Sequence, residues 1–223
     1  MNPPHRIPRA ERWLQLAPRP APSTPPAYAL SDEALIAAVV DRDIRAAGEL
    51  HDRLISVVHA TLYRILGRRE QDHEDLVQAT FEQIVLTLAR GRFAGGCRLS
   101  TFASTVAAHV AFNALRRRRR ANRVFDTAVQ SEAVDRQAVG DPERDASVRE
   151  EIRVVQGHLT EMKSERAVVL LLHDVVGHDL AEISVMLQIS PAAAQSRLVR
   201  GRRELLARLD ADKAQQKGAH RGK

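Results

Sequence analysis

The chain has 223 residues, with 34 Lys and Arg against 28 Asp and Glu and a formal net charge of +6. Apolar residues make up 44% but aromatics only 4%, and Ala, Leu, Val and Arg dominate, a balance that favours helix over sheet. No apolar run approaches the ~20 residues of a bilayer span, Cys97 is the single cysteine and no zinc-type spacing occurs, so the charge points to a polyanionic partner rather than to membrane insertion or a metal.

Residues 1–29 hold eight of the ten prolines. PRPAPSTPP (18–26) cannot be helical and has little to bury, so a disordered extension is expected, with Trp13 and Leu14 a small apolar foothold. Ser31, Asp32 and Glu33 give a cap and two acids in a first turn, and Leu35, Ile36, Val39 and Val40 follow at helical spacing. A second helix is predicted from about Asp43 to Leu66, striped by Leu50, Leu54, Val57, Val58, Leu62, Ile65 and Leu66, with Gly67 at its C-terminal cap. A third starts near Asp72 and carries Leu76, Val77, Phe81, Ile84, Val85 and Leu88 inward. After the glycine-rich loop GRFAGGCR (91–98), a fourth helix runs from Ser100, its expected cap, to Arg120, with Phe102, Val106, Val110 and Leu115 as its stripe. Four helices on short loops imply a bundle.

That fourth helix ends in Arg116, Arg117, Arg118, Arg119 and Arg120. Successive residues turn about 100° on a helix, so five arginines point in every direction and packing is expected to stop near Leu115. Phosphate contact is the natural use of such a rod of cations. Residues 124–151 then set eight acids against three arginines around a Gly-Asp-Pro break, which reads as a flexible acidic linker.

Apolar periodicity resumes near Val148 and continues to Leu209; the residues from 210 on are polar and expected to fray. DLAEISVMLQISPAAAQSRLVRGRRELLARL (179–209) places Leu180, Ile183 and Leu187 on one face, then a tight turn at Ile189. Ser190 suits an N-cap and Pro191 the first helical position, and the following helix buries Ala194, Leu198, Gly201 and Leu205. This is a helix-turn-helix pattern. Ser190, Gln195, Ser196, Arg197, Arg200 and Arg203 would face DNA; Arg can pair bidentately with guanine and Gln with adenine, each good pair giving about 1–3 kcal/mol of discrimination.

Two basic helical modules around one acidic linker resemble the extracytoplasmic-function sigma factors of bacterial RNA polymerase. DHEDLVQATFEQIV (72–85) is similar to the family's polymerase-docking region 2.2, LSTFASTVAAHVAFNALRRRRR (99–120) to regions 2.3 and 2.4, and LTEMKSERAVVLLLHDVVGHDLAEISVMLQISPAAAQSRLVRGRRELLARL (159–209) to region 4. The resemblance covers about residues 31–209, in the family's order. It implies an all-α chain of two small helical domains, a region 2 bundle and a C-terminal helix-turn-helix region 4. The expected boundaries are a Pro-rich extension over 1–29, region 2 over 30–122, the linker over 123–147, region 4 over 148–210 and a basic tail over 211–223.

By match, Asp75 and Gln78, with Phe81 and Glu82 nearby, would contact core polymerase. Arg98, Ser100, Thr101, Phe102, His109, Asn113 and the five arginines would meet the −10 element, and the six residues of the helix-turn-helix the −35 element. The resemblance implies a cytoplasmic protein that catalyses nothing, needs no cofactor or metal, binds core RNA polymerase and promoter DNA, and admits an anti-sigma partner. The sequence departs from the family pattern at Ala79, Ser104, Ala108, His109, Asn113 and Gln195, which bears on promoter preference. The alternative is a stand-alone helix-turn-helix regulator that uses the C-terminal motif without polymerase. A nuclease would need paired acids or metal ligands, and no such spacing, nucleotide loop or nucleophile elbow is present.

Overall fold

The computed structural model describes residues 30–67, 71–93, 95–125 and 142–221, all of them helix, turn or loop with no strand. The Pro-rich extension, with Trp13 and Leu14, and residues 126–141 of the expected linker lie outside the described residues.

Helix α1 spans Asp32–Val40, α2 Ile44–Leu66, α3 His73–Ala89 and α4 Leu99–Phe125. Local chemistry sets most of these limits. The Ser31 hydroxyl accepts from the Ala34 N–H and the Asp43 carboxylate from the Arg45 N–H, each satisfying an orphan donor of a first turn. Gly67 ends α2 at φ 76°, a left-handed conformation that favours glycine, and its N–H returns to the Tyr63 carbonyl. The stripe of α2 is buried as its spacing predicts: Leu50, Leu54, Val58, Leu62, Ile65 and Leu66.

Three features depart from expectation. The cap of α4 is not Ser100. The helix begins at Leu99, whose N–H donates to the Asp32 carboxylate of α1 at 2.8 Å, while Arg53 of α2 donates to the same carboxylate at 3.0 Å. The stripe of α4 is carried less by Phe102 and Val110, both half-buried, than by Leu99, Ala103, Ala107, Ala111, Phe112 and Ala114, all buried. Alanines at every fourth position let α2 approach closely, which larger side chains would prevent. On α3, Val85 points outward at 39% exposure, whereas Ile84 beside it is fully buried.

Helix α5 spans Pro142–Glu161, with Pro at the first helical position, so helix begins ahead of the expected module boundary at 148. Helix α6, Ser164–Leu170, continues into a π-helical segment, Leu171–Val176, closed by Gly177 at φ 95°. Helix α7, Leu180–Met186, opens with a capping box: the Asp179 carboxylate accepts from the Glu182 N–H, and the Glu182 side chain accepts from the Asp179 N–H. Helix α8, Pro191–Arg221, starts on the Ser190 cap and continues well beyond Leu209, past the point where fraying is expected. Gly201 is buried where α8 crosses α6; a Cβ there would lie 3.3 Å from the Arg166 carbonyl, so the crossing depends on the missing side chain.

The two halves pack against each other through α4, which touches α2 and α3 on one side and α5, α6, the π-helical segment and α7 on the other. Residues 103–108 of α4 are six consecutive buried residues. Six residues turn through more than a full circle, so no single face can account for them; the second half of the chain supplies the second cover.

Candidate functional site

Three surfaces carry the predicted residues. On α3, Asp75, Gln78 and Glu82 recur at i, i+3 and i+7 and are all exposed, with a hydrogen bond from Gln78 Nε2 to Glu82 Oε1 at 3.0 Å. Phe81 is half-buried, its ring 4.7 Å from the His51 ring, so it supports this face more than it presents it. Val85 extends the row by one further turn and Leu86 flanks it at 47% exposure, giving an apolar end to a polar strip. Sequence periodicity assigned Val85 to the core and so missed it.

The second surface, on α4, is divided. Arg98, Asn113, Arg117 and Arg120 are exposed and Ser100 is half-buried, but Thr101 is buried and Phe102 packs on Phe93, ring to ring at 4.9 Å. The His109 Nδ1–H donates to the Thr105 carbonyl, and burial lowers the pKa of the ring, which favours its neutral form. The arginine run does not project freely. Arg116 donates to the Ser164 hydroxyl at 2.6 Å and lies over the Phe112 ring, and Arg118 donates to the Asp72 carboxylate at 2.6 Å. Arg119 donates to the Gly157 carbonyl at 2.6 Å and also to the Glu161 carboxylate. The expectation that packing stops at Leu115 is therefore corrected. Three of its five arginines turn to partners within the chain: Arg116 to Ser164 at the start of α6, Arg118 to Asp72 ahead of α3, and Arg119 to Gly157 and Glu161 of α5.

Those contacts extend into a chain of ion pairs. Glu161 also accepts from Arg208 at 2.7 Å; Arg208 reaches Glu204 at 3.2 Å; Glu204 accepts from Arg166 at 2.7 Å. The hydrogen bond from Arg166 is the main cause that holds the Glu204 carboxyl below its ordinary pKa. Each pair is partly exposed and weak alone, but the network ties α4, α5, α6 and α8 together.

The third surface is the outer face of α8. Gln195, Arg200 and Arg203 are exposed. Ser196 is half-buried, and Arg197 is half-buried beside Glu165 at 3.3 Å. The Ser190 hydroxyl accepts from the Ala193 N–H at 3.1 Å, so its first task is to start the helix.

One group of metal-type side chains was not anticipated. His59 of α2 meets His73 and Glu74 of α3, with potential ligand atoms within 4.8 Å of one another. The His59 Nδ1 and His73 Nε2 atoms are 2.8 Å apart in a hydrogen bond between stacked rings. That bond accounts for their approach, since each nitrogen faces the other rather than a common point.

Residues 50–121 match the family model of sigma-70 region 2, and residues 154–205 that of sigma-70 region 4. The RNA polymerase sigma factor CarQ of Myxococcus xanthus is 33% identical over 147 residues, covering 63% of this chain and 78% of that protein. Among solved structures, CnrH in complex with the cytosolic domain of CnrY superposes with a TM-score of 0.48 at 24% identity, covering 81% of this chain and 98% of that one. The sigma factor RpoE in complex with the anti-sigma factor NepR, from Bartonella quintana, gives a TM-score of 0.43 at 18% identity, covering 72% of this chain and 96% of that one. No helix among the described residues is long and apolar enough to cross a membrane.

Proposed function

Because the chain belongs to the RNA polymerase sigma factors, in their extracytoplasmic-function branch, we propose that its α3 face holds core polymerase while α4 and α8 address the two elements of one promoter. Asp75, Gln78 and Glu82, with Val85 and Leu86 at the end of the strip, form the polymerase contact. Gln195, Arg200 and Arg203 read or grip the −35 element from the major groove, with Arg197 held in reserve against Glu165. Arg98, Ser100, Asn113 and the arginine run serve the −10 element. Thr101 and Phe102 shape that end of α4 from within rather than contacting DNA as the structure stands.

The observation that carries this reading is the pair of open faces on one chain: an acid-and-amide row on α3 and a basic row on α8. A stand-alone helix-turn-helix regulator has use for the second only, and the match over residues 50–121 gives it no reason for the first. The protein acts without chemistry of its own; it recruits and positions an enzyme in the cytoplasm, where promoter and polymerase meet. The test is run-off transcription with purified core polymerase and a promoter library. Specific transcripts that require the chain support the reading. Tight DNA binding without any polymerase-dependent transcript overturns it.

A further inference from the structure

Two arginines of α8 are held sideways by acids of α6 and of the π-helical segment that continues it. Arg202 grips the Asp174 carboxylate as a fork: Nε donates to Oδ2 at 2.9 Å and Nη2 donates to Oδ1. The His173 Nδ1–H donates to the same Oδ1 at 2.7 Å, since an ionised carboxylate only accepts. The Asp174 side chain is 6% exposed. Arg197 stands 3.3 Å from Glu165 of α6, whose side chain is 70% exposed. Successive residues advance about 100° round a helix. Measured from the buried side of α8, carried by Ala194, Leu198, Gly201 and Leu209, Arg200 and Arg203 lie about 140–160° away, Arg197 about 80° to one flank and Arg202 about 60° to the other. Acids thus bracket the helix on both flanks and leave its outer side to Arg200 and Arg203.

We propose that Asp174, braced by His173, is a specificity-determining positioning residue of the −35 contact. By anchoring Arg202 it fixes the rotation of α8 at which Gln195, Arg200 and Arg203 meet the major groove, and it withholds the Arg202 cation from DNA. The inference rests on the sigma-factor reading and refines its −35 surface. Burial makes the anchor firm. Were Arg202 to leave for a phosphate, a carboxylate shielded from water would stay behind without its cation, a costly state. Glu165 lies in water and loses little when Arg197 departs, so Arg197 stays available to DNA while Arg202 does not. Gln195 stands seven residues before Arg202 and shares its edge of the helix, so slack at Arg202 passes directly to the reading amide. A rotation of about 20° carries a side-chain tip about 6 Å from the axis through about 2 Å. That is more than a bidentate bond to a base edge tolerates.

The test uses the full chain in holoenzyme, with a promoter duplex that the library returns as active and the same duplex with its −35 element scrambled. Asp174→Asn should lower the preference for the intact element by at least about fivefold, the loss of one well-aligned base contact, and leave affinity for the scrambled duplex within about twofold. Arg202→Ala should lower the preference equally without changing the salt slope of binding, and the double variant should be no worse than either single one. Glu165→Gln, at the exposed pair, should stay within about twofold of the parent. Wild-type preference in Asp174→Asn overturns the anchor, as does a double variant that loses the product of both factors. A slope shallower by about 0.9 in Arg202→Ala makes Arg202 itself a phosphate ligand and overturns it too. Arg202→Lys serves where those variants do not fold: it keeps a cation beside Asp174 but cannot fork, so the preference should fall by the same factor, and full preference counts against the anchor. A wild-type chain that gives no promoter-dependent transcript fails the sigma reading and the anchor with it, whereas wild-type selection that Asp174→Asn retains in full fails the anchor alone.

Discussion

Replacing Arg117 and Arg120 together by Ala separates phosphate contact from mere solubility. Both side chains are exposed on α4, so their removal disturbs no packing. Each duplex phosphate neutralised contributes about 0.9 to the slope of log affinity against log salt. Two lost contacts therefore make the slope of promoter binding shallower by about 1.8, so that a threefold rise in salt weakens the variant about sevenfold less than the parent. Arg116→Ala with Arg119→Ala removes the same charge from side chains that are tied to Ser164, Gly157 and Glu161. In holoenzyme that pair, already engaged within the chain, should flatten the slope less than the exposed pair does. In the free chain on a single-stranded oligonucleotide, where a contact contributes about 0.7, the exposed pair should lower the slope by about 1.4 and the tied pair should not lower it. Fluorescence anisotropy over a salt series reads both. Parallel lines for the Arg117, Arg120 variant and its parent in holoenzyme would refute phosphate contact by these arginines.

Asp32→Ala removes both the cap of α4 and one of the partners of Arg53, and should cost about 2 kcal/mol, lowering Tm by about 4–8 °C in a chain of this length; a shift under 1 °C in calorimetry would show that the 67-residue bridge is idle. Val85→Asp places a charge at the end of the α3 strip without touching the core, and should reduce co-purification with core polymerase at least tenfold while leaving DNA affinity unchanged; equal recovery would remove Val85 from the contact. His109 has a folded pKa below its unfolded value of about 6.5, so the neutral ring's contribution is fully present above that pH and is lost as pH falls through the folded value. Urea midpoints should therefore drop between pH 7.5 and 5.5 by more in the wild type than in His109→Gln, and identical drops would place the pH dependence elsewhere.

What could be read in advance divides by range. Ser31, Asp43, Gly67 and the Ser190–Pro191 pair announce helix limits because a cap bonds to its own first or last turn, within a few residues. The capping box of Asp179 and Glu182 was equally local and could have been found from its spacing alone. The α3 and α8 faces were visible for the same reason, since an amphipathic row is a property of one helix. Asp32 was hidden because the turn it caps lies on another helix, and Glu161 because nothing near it in sequence needs a cation. Val85 was misplaced because it sits at the edge of the stripe, where a rotation of one residue decides between core and solvent.

The need of the fourth helix for a second cover follows from its composition. LSTFASTVAAHVAFNAL (99–115) carries no acid, lysine or arginine over seventeen residues. A helix without a charged face is buried all round, whereas a four-helix bundle can bury only one side of each member. Some other part of the chain, or another molecule, has to cover the remainder. Here the C-terminal module does so: contacts from His178, Met186, Ser164 and Glu161 to hydroxyls and arginines of α4 accompany a hydrophobic cluster that spans both halves of the chain. The same small side chains that let α4 lie close to α2 let the second half of the chain complete its burial on the far side.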